Sequence, residues 1–167
     1  VDSEPAAATG NVWSVHILVA TDADYVAADV TAALSGPEVS FTICREGRLV
    51  SDLVAEGGVD LAILDLQIGS KGAMAVAMDL RLDESDGRVP SVPVLMLLDR
   101  QADVHLAKRS AAEAWLVKPF DAITLKRLVK LVLEGPPPEP PADGEAVVEG
   151  PADDDTVATE EEPAVAG

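Results

Sequence analysis

A chain of 167 residues, nearly half of them apolar, is long enough for one domain with a sizeable core and a remainder outside it. Its formal charge of -18 argues against binding a nucleic-acid backbone or an anionic membrane, both of which call for clustered Lys and Arg. Cys44 is the only cysteine, so an internal disulfide is excluded and a cytoplasmic setting is expected. No stretch approaches the ~20 apolar residues of a membrane helix.

Residues 1–13 are rich in Ala, Pro, Gly and acids, lack the basic and apolar regions of a secretory signal, and read as a flexible leader. Val15 to Ala20 (VHILVA) is a first buried strand, ending at Thr21-Asp22-Ala23-Asp24. Asp22 or Asp24 is expected to cap a helix from Asp24 to Leu34, which Gly36-Pro37 stops. Val39 to Cys44 alternates as a second strand, and a short helix spans Arg48 to Glu56.

Leu61 to Leu64 is an uninterrupted apolar run followed directly by Asp65, the pattern of a strand buried on both faces of a parallel sheet. A helix from Lys71 to Asp83 follows. Val92 to Leu98 is the fourth strand, with Pro93 near its start, where a missing donor is tolerated. Ala102 to Ala111 reads as helix, Ala114 to Val117 as the fifth strand and Lys118-Pro119-Phe120 as a turn. Asp121 caps a last helix running to Glu134. Residues 14–135 therefore form the folded domain. Residues 136–167, with many prolines, about ten acids and no Lys or Arg, read as a disordered acidic tail.

Five strands alternating with five helices predict an α/β fold, a parallel sheet doubly wound by helices in three layers. Right-handed crossovers put every carboxyl end on one edge, which gathers Thr21, Asp22, Asp24, Asp65, Leu98, Asp99 and Lys118. A carboxylate at the end of a buried strand is costly unless paired or metal-bound. Asp65 is therefore the residue that most requires a function.

With their spacing, ILVATDAD, VDLAILDLQI, VPVLMLL and AWLVKPFDAITL resemble the receiver domain of bacterial two-component response regulators, the CheY-like, flavodoxin-like fold. The resemblance implies a signalling protein rather than an enzyme, with Asp65 accepting a phosphoryl group. It implies Mg²⁺ held by Asp22, Asp65 and the backbone carbonyl of Gln67, Lys118 on the phosphoryl oxygens, and a cis Lys118-Pro119 bond. It also implies a sensor histidine kinase or phosphotransfer protein as donor. A downstream protein, or a second copy, would dock on the face of the last two helices, which carries Lys108, Arg109, Lys126, Arg127 and Lys130.

The chain departs from that pattern at three places. Thr21 stands where receivers carry a second metal acid. Leu98 stands where a Thr or Ser would bond the phosphoryl group and signal to the aromatic on strand five, here Trp115. Gly69 replaces the usual proline, and Asp99 adds a charge beside Leu98. Two alternatives follow: a phosphorylation-independent interaction module of the same fold, and a phosphatase of the haloacid-dehalogenase type using Asp22-Ala23-Asp24 as its nucleophile motif.

Overall fold

The aliphatic runs form five strands in the computed structural model, which describes residues 14–135. They are β1 (Val15–Ala20), β2 (Val39–Cys44), β3 (Leu61–Asp65), β4 (Val94–Leu98) and β5 (Ala114–Val117). All pair in parallel, in the order β2-β1-β3-β4-β5. The central strands β3 and β4 are buried at every position, which is why their sequences are continuously apolar rather than alternating. The expected leader and acidic tail lie outside the described residues.

Five helices cover the sheet: α1 (Asp24–Leu34), α2 (Val50–Ala55), α3 (Ala73–Ser85), α4 (Val104–Arg109) and α5 (Ala122–Glu134). Alternation along β3 divides the core in two. Leu61 and Ile63 pack with Val26 and Val30 of α1 and with Leu125 and Val129 of α5. Ala62 and Leu64 pack on the other face with Val50 and Val54 of α2, Val76 and Leu80 of α3, and Ala107 of α4. The result is the three-layer, doubly wound sandwich expected from the order of elements.

Several boundaries differ from the sequence reading. β4 begins at Val94 rather than Val92, because its ladder opens with Val94 beside Ala62, while Pro93 contributes only a carbonyl, to Ala62 N–H at 3.0 Å. α3 begins at Ala73 rather than Lys71, since Ser70 has a positive φ of 67° and Lys71 N–H turns back onto the Gly69 carbonyl. α2 and α4 are each preceded by a 3₁₀ turn, Gly47–Leu49 and Gln101–Asp103. Asp22 and Asp24 do not cap α1. Its N-cap is Ala23, whose N–H is taken by the Thr21 hydroxyl at 3.1 Å.

The turn before α2 supports the loop after β3. Gly47 N–H donates to the Gly69 carbonyl at 3.1 Å, and a Cβ on Gly47 would lie 1.9 Å from the Lys71 carbonyl oxygen. Only glycine lets these two backbones approach so closely.

Candidate functional site

The chain leaves β1 toward β2 on one side, while β3 lies on the other, so the strand order reverses between β1 and β3. Open α/β sheets bind ligands in the crevice at that point, outside the carboxyl ends of the strands. Thr21 and Asp22 follow β1 there, Asp65 ends β3, Asp99 follows β4 and Lys118 follows β5.

Asp65 is only 2 % exposed. Its Oδ1 accepts a hydrogen bond from Lys118 Nζ at 2.8 Å and another from Gln67 N–H at 3.3 Å. Its Oδ2 accepts from the Thr21 hydroxyl at 2.7 Å. Three donors, one of them charged, are what permit a carboxylate in this buried position. Thr21 is itself fully buried and links two elements, donating to Asp65 while accepting from the first turn of α1.

Lys118 lies between two carboxylates, Asp65 Oδ1 and Asp99 Oδ1, the latter at 3.0 Å. Burial pushes the ammonium toward a lower pKa, but the hydrogen bonds and charges of Asp65 and Asp99 outweigh it and hold the group above the ordinary lysine range. Its main-chain N–H extends the β4–β5 ladder to the Leu98 carbonyl at 2.8 Å, and the bond to Pro119 is cis. With Tyr25, Asp29 and Phe120, Lys118 and Asp99 line a cleft of ≈ 330 Å³. A larger cavity of ≈ 870 Å³ opens at the amino ends of β1 and β2, away from these groups.

The other expected site residues divide clearly. Asp22 is exposed and its Oδ2 accepts from Gly69 N–H at 3.1 Å, a bond that a proline at 69 could not give. Asp24 turns instead to Arg45, at 2.6 Å, with its side chain 90 % exposed. Leu98 is fully buried in the core. Trp115 is half-buried on β5, and Lys108 Nζ sits 5.9 Å above its ring.

Three contacts escaped the sequence reading: Thr21 to Asp65, Asp99 to Lys118, and Gly69 to Asp22. The signal for the last was legible, since replacing proline by glycine restores an N–H donor. Nothing in the sequence marked the first two beyond the placement of these residues at strand ends.

A doubly wound parallel sheet with a buried Asp–Lys pair at its switch point matches the receiver-type arrangement that the sequence resembles. Sequence comparison is more specific. An uncharacterised response regulatory protein of Mycobacterium tuberculosis is 35% identical over 100 residues, spanning 60% of this chain and 72% of the relative. The chain belongs to the response-regulator family.

The transcriptional regulatory protein CseB of Streptomyces avermitilis is 27% identical over 139 residues, which cover 78% of this chain and 57% of that protein. No family model matches. Among solved structures, a response regulator of Chloroflexus aurantiacus superposes with a TM-score of 0.66 at 20% identity, over 72% of this chain and 98% of the other. The receiver domain of a Pseudomonas aeruginosa sensor histidine kinase, described with magnesium in its active-site cleft, gives 0.63 at 19% identity over 72% and 98%. These structural likenesses carry the fold. The family is one of signalling proteins, and among the described residues no helix is long and apolar enough to cross a membrane.

Proposed function

We propose that the chain receives a phosphoryl group on Asp65 and signals through protein contacts. The observation that carries this is the position of Asp65. It is a carboxylate 2 % exposed, at the mouth of the switch-point crevice, with a lysine ammonium 2.8 Å from one oxygen. A carboxylate oxygen of Asp65 attacks phosphorus in a phosphohistidine or a small phosphodonor. The new P–O bond forms as the P–N or P–O bond of the donor breaks, and the electron pair leaves with the donor. Lys118, held charged, faces the oxygens on which negative charge gathers, and such positioning is most of what phosphoryl transfer asks of a protein.

Asp22, Asp65 and the Gln67 carbonyl would hold Mg²⁺. Among the described residues no cluster of three His, Cys, Asp or Glu ligands exists, but magnesium takes one or two carboxylates together with water and phosphate. The donor set therefore fits, with one acid fewer where Thr21 stands. When bound, the ion neutralises charge on the transferred group. The phosphatase reading loses its support, because Asp24 is paired with Arg45 at the surface and the chain's relatives are response regulators.

The donor partner is a sensor histidine kinase or phosphotransfer protein. The output partner, or a second copy, docks on the face built by α4, β5 and α5. A cytoplasmic location suits a chain whose single cysteine, Cys44, can form no internal disulfide.

The test is mass spectrometry of the intact protein after acetyl phosphate or phosphoramidate with Mg²⁺. A gain of one phosphoryl group, absent in Asp65→Asn, is expected. No gain from any donor would overturn the reading.

A further inference from the structure

We infer that Asp99 is a positioning residue. It holds Lys118 in the unphosphorylated arrangement and competes with a phosphoryl group on Asp65 for the same ammonium. The inference rests on Asp65 being the acceptor and concerns how that site is regulated.

Geometry supplies the first support. Lys118 Nζ bridges Asp65 Oδ1 at 2.8 Å and Asp99 Oδ1 at 3.0 Å, so two of its three donors are engaged before any phosphoryl group arrives. Lys118 is well shielded, its side chain 13% exposed against 33% for Asp99, so this pairing is screened less than one between two fully exposed groups.

The second support is the other oxygen of the same carboxylate. Asp99 Oδ2 is buried and has no hydrogen-bond partner among the described residues. An unmet carboxylate oxygen is destabilising, and its persistence calls for an explanation beyond packing. The ion pair made by the other oxygen of the same carboxylate provides it.

The third support is the neighbour. Leu98, fully buried, offers no hydroxyl to a phosphoryl group, so recognition on this side falls to Lys118. One ammonium already faces two carboxylates there. Phosphorylation replaces the charge of Asp65 by a group of about -1.5 to -2. Asp99 then stands as a like charge with a claim on the same ammonium. With Asp99 in place, the unphosphorylated arrangement is the favoured one.

The experiment is titration of the full chain with beryllofluoride, a phosphoryl mimic, at fixed Mg²⁺, followed by calorimetry, with a thermal melt of each variant. Asp99→Asn keeps the shape and removes the charge, and should bind beryllofluoride roughly tenfold more tightly, the scale of one partly buried charge contact. Asp99→Glu keeps the charge and should stay near wild type. If Asp99→Asn changes only the melt and leaves affinity at the wild-type value, Asp99 is structural and the inference fails. It also fails if Asp99→Glu gains as much as Asp99→Asn, because charge is then not the agent. If neither wild type nor any variant binds, the acceptor reading of Asp65 falls and takes this inference with it.

Discussion

Thr21 joins the end of β3 to the start of α1 through a single hydroxyl. Its hydroxyl proton goes to Asp65 Oδ2, and its oxygen accepts the N–H of Ala23 at the start of α1. Thr21→Val keeps the shape and removes both bonds, leaving a buried carboxylate oxygen and a helix N–H unmet. Hydrogen bonds to charged groups contribute about 1.5–3 kcal/mol. The variant should therefore lose about 2–3 kcal/mol, read as a lower urea midpoint at unchanged slope, and an unchanged midpoint would refute this role. At this scale the sequence was only partly legible. It showed that Asp65 and Lys118 must share an edge, because each follows a buried apolar strand. It could not show that a threonine replacing an acid would turn inward, because hydroxyl direction depends on the neighbouring strand.

Among the elements, α5 shows most directly how local chemistry sets a boundary. Asp121 Oδ1 accepts from Thr124 N–H at 2.8 Å and Oδ2 from the Thr124 hydroxyl at 2.6 Å, the cap its sequence predicts. The Thr124 hydroxyl and then its backbone N–H hold the Asp121 carboxyl below the usual aspartate range. A depressed carboxylate stabilises the fold above its unfolded pKa of about 3.9, and that contribution fades as pH falls through the lower folded value. The difference in melting temperature between wild type and Asp121→Ala should be constant from neutral pH to about pH 5 and shrink below about pH 4. A gap that widened on acidification would contradict the assignment. By contrast, the start of α3 was not legible. The turn through Ser70 depends on Gly47 admitting the Lys71 carbonyl from a distant part of the chain, and no local pattern carries that contact.

For the whole molecule, hydrophobic patterning was enough to give the sheet, its parallel sense and its two covered faces, because β3 and β4 admit no exposed side. Ile63, fully buried on β3, lies in the cluster shared by α1, α5 and the sheet. Ile63→Ala should cost about 2–5 kcal/mol, a large share of the roughly 5–15 kcal/mol that holds a domain of this size. Guanidinium unfolding would measure it, and a loss below 1 kcal/mol would mean that the two faces are not one cooperative unit.

Among the described residues the buried core contains no aromatic side chain, and of the two tryptophans only Trp115 lies among them. It stands half-buried on β5, three positions before Lys118, beneath Lys108 of α4. Its emission therefore samples the outer surface near the site rather than the interior. A partner settling on that side would change the colour and brightness of the protein while its interior stayed optically silent.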